Sequence, residues 1–355
     1  MSTVVLGAES TFNNCCVCVL DGDRGRVVRY ERSVTFHAPG GVAQDTPEWR
    51  RCLGEFHART LPLLLDDAVQ AVPAIDLVAF SVVNGKPNAN VEVARSIVSS
   101  LASRLPAPVM PVDHHEAHLL SGLLCDPPPQ FPYIGLTAAG GHSRLQFARA
   151  LGDYRLLGSH EAAPRTRFGH GRAPGSVLDR CAELLGLVPP GQPDGAVEID
   201  SRGRRRQDWQ YLRFPVATAA NAGNGYDFDF HALYEEVLEH KEVLEHKQAA
   251  SDDPDELDRV AVSAQECVMG VLLDKEFSAA AALGVRRICF GGGVACNSRL
   301  RELAADRAAR EDVTVYFPPP AVCADNARMI AFAGLSLRPG TTTTAEDRVP
   351  LCAYW

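Results

Sequence analysis

The stretch Tyr133-Ile134-Gly135-Leu136-Thr137-Ala138-Ala139-Gly140-Gly141-His142-Ser143-Arg144-Leu145-Gln146-Phe147-Ala148-Arg149-Ala150 decides the fold. An apolar run, a Gly-Gly turn and a second strand-like run read as a β-hairpin. Tyr154–Gly158 supplies a third strand. Upstream, the same order has already been used once. Val4–Gly7, the polar turn Glu9–Asn14 and Cys15–Leu20 read as a hairpin, with Val27–Phe36 as its third strand. Apolar residues at helical spacing over Trp49–Val72 predict a helix. Strand Leu77–Val83, helix Asn90–Leu105, strand Val109–Val112 and helix Glu116–Leu124 follow. After the second hairpin come helix Val177–Leu187, an irregular stretch, helix Arg259–Leu283, strand Arg287–Phe290, helix Asn297–Arg310, strand Val313–Phe317 and helix Asp325–Leu337. A three-strand sheet followed by α-β-α-β thus occurs twice. The expected class is α/β with a duplicated core, and two such halves facing each other make a cleft where a ligand can sit.

The 355 residues suit about two domains. The first is expected over residues 1–128, closed by the helix near 325–337, and the second over 129–324. Asp194–Ala250 is expected as an irregular, solvated insertion of mixed charge, with a basic cluster at Arg202–Arg206 that could meet a phosphate-bearing partner. The formal charge of −9 excludes nucleic-acid binding by bulk positive charge. No apolar run is long enough to span a membrane, and the N-terminus lacks the marks of a secretory signal. The 11 cysteines are scattered, with Cys15, Cys16 and Cys18 too close together for a disulfide framework, which points to reduced thiols and a cytoplasmic setting.

Chemistry concentrates in Asp113-His114-His115-Glu116-Ala117-His118. His114 and His118 stand at i and i+4, one helix face, as two ligands of one metal ion must. The order HHEAH is one residue off the HExxH zinc-peptidase pattern, which disfavours a metallopeptidase. Gly291-Gly292-Gly293-Val294-Ala295-Cys296-Asn297 joins a strand to a helix and could cradle a phosphate, although it matches neither GxGxxG nor the P-loop. Gly140-Gly141-His142-Ser143 is a second glycine turn. Asp179 lies at a predicted helix entry and could hold a ribose hydroxyl. Asp325 is expected at the N-cap of the last helix or as a metal carboxylate. Glu9, Asp113 and His142 are the candidates for a general base.

Together these residues resemble the tRNA threonylcarbamoyladenosine transferase (TsaD-type) family. The family's HxxxH pair matches His114 and His118, and its Ser-Gly-Gly-His-Thr turn matches Ala139–Ser143. Its Gly-Glu-Ala-Phe-Asp-Lys segment matches Gly175–Arg180, and its Pro-Gly-Gly-Pro matches Pro190–Pro193. Its Gly-Gly-Val-Ala-x-Asn and Cys-Thr-Asp-Asn-Ala match Gly292–Asn297 and Cys323–Ala327. The resemblance implies an actin/Hsp70/sugar-kinase-like duplicated fold. It also implies Fe2+ or Zn2+ on His114, His118 and Asp325. An adenine nucleotide, as carbamoyl adenylate or as ATP with Mg2+, would be held by Gly140, Gly141, Gly175, Asp179, Gly191, Gly292, Gly293 and Asn297.

Three segments depart from the family. Its Glu-Thr-Ser-Cys-Asp-Glu-Thr is here Glu9–Cys15, with Asn13 and Asn14 in place of acids. Its Gly-Pro-Gly-Leu is here Asn84–Asn88, and its Ser-Phe-Ser-Gly-Leu-Lys-Thr is Asp229–Glu235. These are the acceptor-facing regions of the family. The expectation is therefore a carbamoyltransferase with a small-molecule acceptor, in natural-product (antibiotic) biosynthesis, supplied by a separate adenylate-forming enzyme. Transfer to tRNA is the alternative. A non-catalytic ATP-binding regulatory protein and a sugar kinase are the readings from other classes.

Overall fold

The computed structural model describes residues 3–22, 27–39, 46–83, 89–102, 105, 107–160, 173–189, 194–205, 208–222, 225–247 and 255–338. The chain forms two compact units, residues 1–129, 149–154 and 318–355 in the first and 130–148 and 155–317 in the second.

In the first unit β1 (Val4–Glu9), β2 (Asn14–Asp21) and β3 (Val27–Thr35) form an antiparallel meander. It is followed by α1 (Pro47–Ala71), β4 (Leu77–Val82), α2 (Ala89–Ala102), β5 (Val109–Asp113) and α3 (His114–Ser121). β4 lies parallel to β1 and β5 parallel to β4, in the order β3-β2-β1-β4-β5.

The second unit repeats that order. β6 (Tyr133–Ala138), β7 (Ser143–Ala150) and β8 (Asp153–Ser159) precede α4 (Pro174–Leu184), α5 (Gly195–Gly203), α6 (Pro215–Ala222), α7 (His231–Lys247) and α8 (Asp255–Leu283). Then come β9 (Arg287–Gly291), α9 (Ser298–Glu311) and β10 (Thr314–Tyr316). The sheet runs β10-β9-β6-β7-β8, with β9 parallel to β6 and to β10. The chain ends its described part in the first unit with α10 (Pro320–Cys323) and α11 (Ala327–Leu337).

Period-two alternation sorts the strands of the first sheet. Leu6 and Ala8 of β1 join Val17 and Val19 of β2 and Val78, Phe80 and Val82 of β4 in one core. Leu61, Leu64, Leu65 and Ala68 of α1 and Val91, Ala94 and Val98 of α2 cover it. The opposite face carries Gly7, and there the sheet meets α11 at very short range. A Cβ on Gly7 would stand 2.5 Å from the Ala327 carbonyl oxygen, and one on Gly334 would stand 2.6 Å from the Ala79 Cβ. Small residues on both sides let the helix lie directly on the strands. Glu9, two residues beyond Gly7, points to that same face.

Three expectations change. Residues 194–247 are not an irregular, solvated insertion. They hold α5, α6 and α7, with Ile199, Trp209, Phe214, Phe228, Phe230, Leu233 and Val237 buried. The basic cluster is paired with acids, although Arg204 and Arg205 stay more than half exposed. Arg202 bonds Glu198 and Asp258, Arg204 bonds Asp200, and Arg205 lies 3.9 Å from Glu198 and from Asp258; Arg206 lies outside the described residues. The third change is at α3, which begins at His114 and not at Glu116. Among the described residues no helix is long and apolar enough to cross a membrane, and no disulfide joins the cysteines.

One buried group has no counterpart. Glu276 of α8 is completely buried, and neither carboxyl oxygen has a hydrogen-bond partner. Burial alone pushes its pKa well above the usual carboxylate range.

Candidate active site

In the first unit the site is built where α3 packs against α11. Asp113 ends β5 and caps α3: its Oδ1 accepts the His115 and Glu116 backbone N–H groups, each at 2.9 Å. The cap starts the helix at His114, so His114 and His118 stack one turn apart with ring centroids 4.6 Å apart. Both rings are buried. Asp325 approaches from the segment before α11. It is not the cap of that helix, as the sequence suggested. Asn326 takes that place, its Oδ1 accepting the Met329 N–H at 2.8 Å. The Asp325 carboxylate instead sets its Oδ1 3.0 Å from His118 Nε2 and 3.5 Å from His114 Nε2.

Glu9 closes the group from β1. Its Oε1 accepts the Thr11 N–H at 2.7 Å and the Thr11 hydroxyl at 2.6 Å, and its Oε2 lies 3.1 Å from His114 Nδ1. Burial alone would lower the His114 pKa, but the Glu9 and Asp325 carboxylates outweigh it and hold the value at about 9. His118 shifts the other way. Burial lowers its pKa, only partly opposed by its hydrogen bond to Asp325, and the neighbouring His114 lowers it further.

This donor set fits a metal ion. Two imidazole nitrogens and one carboxylate oxygen suit iron or zinc, and ligands about 2.1 Å from one tetrahedral ion stand roughly 3.4 Å apart. The two Nε2 atoms stand from Asp325 Oδ1 at separations near that value. Asn14 helps hold the carboxylate's segment: it donates from Nδ2 to the Asp325 carbonyl at 3.4 Å and accepts the Thr35 hydroxyl on Oδ1 at 2.9 Å. The amide that replaces an acid here therefore serves the chain's own scaffold, since a carboxylate could not donate to that carbonyl.

The second unit gathers its glycines at the carboxyl ends of the parallel strands β6 and β9. The four-residue turn after β6 is closed by the Ala139 N–H on the His142 carbonyl at 2.8 Å, and Gly140 and Gly141 are exposed at its tip. The start of α4 lies against this turn. The Gly175 N–H donates to the Ala139 carbonyl at 3.2 Å, Ser176 Oγ bonds the Gly140 carbonyl, and a Cβ on Gly175 would stand 3.0 Å from Gly140. No side chain caps α4; Pro174 at its start has no N–H to satisfy, and the Val177 N–H bonds the Ala173 carbonyl at 3.0 Å. Gly292, at φ +82°, passes so close to β6 that a Cβ would stand 2.2 Å from the Ala138 carbonyl oxygen. Gly293 beside it is exposed, with open space around its Cα.

Three expected site residues prove to be tied into the scaffold. Asn297 caps α9, accepting the Leu300 N–H at 3.0 Å and donating to Gln265 at 2.8 Å. Asp179 lies in the second turn of α4 and not at its entry. Its Oδ1 accepts the Ala196 N–H at 2.8 Å at the start of α5, and burial raises its pKa to about 7. Asp113 is the α3 cap just described. His142 is buried in the second unit's turn. Gly191, with its Pro190–Pro193 motif, and Asn84–Asn88 lie outside the described residues. In the third departing segment, Asp229 Oδ1 accepts the His231 N–H at 3.0 Å where α7 begins, and Phe230 is buried.

Sequence reasoning missed Thr11, Ser176 and Gln265. Thr11 was accessible, because a Thr two residues after a buried Glu can return its N–H and hydroxyl to the carboxylate. Gln265 is 32 residues from Asn297 and carries no local signal.

A family model described as tRNA N6-adenosine threonylcarbamoyltransferase, TsaD, matches residues 53–332. The chain belongs to the TsaD family. The Chromobacterium violaceum tRNA N6-adenosine threonylcarbamoyltransferase is 33% identical over 338 residues, covering 93% of this chain and 92% of that protein. The Thermotoga neapolitana protein of the same name is 34% identical over 334 residues, with 93% of each covered. Among solved structures, full-length HypF in its phosphate- and nucleotide-bound form superposes with a TM-score of 0.56 at 13% identity. The match covers 96% of this chain and 47% of that one, so the chain spans about half of HypF. Component A of the Acidaminococcus fermentans (R)-2-hydroxyglutaryl-CoA dehydratase superposes with a TM-score of 0.50 at 10% identity, covering 95% and 98%. These likenesses give the fold: the actin/Hsp70/sugar-kinase-like duplicated architecture. TsaD membership makes the chain a transferase of the carbamoyl-transferring kind, and the peptidase and kinase readings give way to it.

Proposed function

We propose that this protein transfers a threonylcarbamoyl group from an adenylate to the N6 amine of an adenosine in tRNA. The observation that carries the reading is sequence likeness to tRNA N6-adenosine threonylcarbamoyltransferases over 93% of the chain and 92% of a relative's length. This favours tRNA over the small-molecule acceptor expected from the altered segments. Two of those segments now have scaffold roles, at Asn14 and Asp229, so their divergence is weaker support for a new acceptor.

A carbamoyl adenylate is a mixed anhydride. The N6 amine attacks its carbonyl carbon, a C–N bond forms, the C–O bond to phosphate breaks, and AMP leaves while N6 loses a proton. The backbone N–H groups of the exposed Gly140 and Gly141 suit the leaving phosphate. The Glu9 and Asp113 carboxylates accept hydrogen bonds from within the chain, and His142 is the third candidate for the base that takes the N6 proton. His114, His118 and Asp325 would hold Fe2+ or Zn2+, which when bound would polarise a carbonyl or phosphoryl oxygen. A separate enzyme would supply the adenylate.

The reading is tested by expressing the protein in cells that lack their own tRNA transferase and analysing tRNA nucleosides by mass spectrometry. The threonylcarbamoyl nucleoside should reappear. Its absence, together with a product from purified protein, carbamoyl adenylate and a small amine, would return the acceptor to the small-molecule class.

The glycine turns separate binding from folding. A Cβ at Gly141 would meet no atom within 4 Å beyond its chain neighbours. Gly141→Val should therefore keep the wild-type melting temperature and lose ATP affinity in calorimetry. Gly292→Val should instead fail to fold stably, because a side chain there has both a disallowed φ and a backbone clash. Wild-type ATP affinity in Gly141→Val would remove the turn from the nucleotide site.

A further inference from the structure

We propose that Glu9 is a positioning residue for His114 and that, with Thr11, it selects which imidazole nitrogen of His114 is presented to Asp325. The proposal rests on the metal reading of His114, His118 and Asp325. It gives Glu9 a role that differs from that of a proton-transfer base.

The argument is one of donors and acceptors. An ionised carboxylate only accepts. Glu9 Oε1 is already taken by both donors of Thr11, at 2.7 and 2.6 Å. Its Oε2 faces His114 Nδ1 at 3.1 Å. Nδ1 must then carry the hydrogen, and Thr11 Oγ1, whose own hydrogen goes to Glu9, stands 3.3 Å from the same nitrogen as a second acceptor. A ring that has released its Nε2 proton, as a metal ligand must, then has its lone pair on Nε2, the atom 3.5 Å from Asp325 Oδ1. His118 presents the same kind of nitrogen to that oxygen at 3.0 Å. The Glu9–Thr11 clamp therefore makes the two rings equivalent at the point where they converge. Carboxylates and carbonyls behind ligating histidines serve this purpose in metal sites generally.

Burial supports the same assignment. Glu9 has no solvent-exposed surface, so its carboxylate does not reach an incoming acceptor. The alternation of β1 places it on the face covered by α11, against the helix whose leading segment carries Asp325.

The test is a Co2+ titration of the metal-stripped full-length protein at fixed pH, read by visible absorption. Glu9→Gln keeps the shape and offers His114 Nδ1 an amide, which allows the other tautomer. Its Co2+ dissociation constant should rise about 10- to 100-fold, with an altered band. Thr11→Val should weaken binding and Thr11→Ser should restore it; this pair carries the test if Glu9→Gln does not fold. Unchanged affinity and band in Glu9→Gln and Thr11→Val, with wild type binding Co2+, would overturn the role of Glu9 and leave the metal reading standing. No Co2+ binding by wild type would overturn both.

Discussion

Purified His118→Ala should bind iron or zinc more than about 100-fold more weakly than wild type and lose it on identical dialysis, a loss beyond the roughly 10- to 100-fold expected from removing a group that only orients a ligand. His118 is a buried ring whose Nε2 stands 3.0 Å from Asp325, and alanine removes both that nitrogen and the contact that holds the carboxylate. His114 and Asp325 alone leave two donors, too few to compete with water and buffer for a divalent ion. The variant also loses a buried ring between α3 and α11, so circular dichroism must show it folded before its metal is counted. His115→Ala is the control. His115 is buried on the same helix, but its ring is not among those that meet at Asp325 Oδ1. It should keep wild-type metal content. Equal metal in wild type and His118→Ala would remove the assigned site.

Much of this arrangement was legible in the sequence, and the misses have physical causes. The hairpins and the apolar helices were readable because each element's periodicity is local. The i, i+4 spacing of His114 and His118 placed both rings on one face. The start of α3 was misplaced by two residues, although Asp113 followed three residues later by Glu116 is a recognised N-terminal pattern. Asp325-Asn326 was ambiguous, since either residue can cap a helix. Only the packing of α11 on Gly7 shows that Asn326 caps and Asp325 turns toward the histidines. Residues 194–247 read as irregular because three short helices share their apolar residues with α8, and no one segment shows a full face. The pairing of Arg202 with Asp258 spans 56 positions and has no local trace.

Glu276→Met should stabilise the protein, and the gain should grow as pH rises. The structure turns Glu276 inward, fully buried and without a hydrogen-bond partner. Lys275 is partnered by the Asn221 and Gly225 carbonyls, each at 2.7 Å. An unpartnered polar group in a core costs about 1–3 kcal/mol even when neutral. Ionisation adds a term with a definite sign. The folded-state pKa lies above the unfolded value, so the native state binds more protons than the unfolded chain between the two. Stability contributed by the protonated form is therefore complete below the unfolded pKa of about 4.3. It is lost as pH rises toward the folded value, at up to about 1.4 kcal/mol per pH unit. Methionine, unbranched and of similar length, removes both costs. Glu276→Gln removes only the titration and keeps an unpartnered amide, so it should cancel the pH dependence while recovering little of the constant gain. Urea unfolding at several pH values from 5 to 8 measures the difference between each variant and wild type. A Glu276→Met protein that is less stable than wild type throughout, or a gain that does not change with pH, would mean that Glu276 has a partner in solution and is not a neutral acid held in an apolar core.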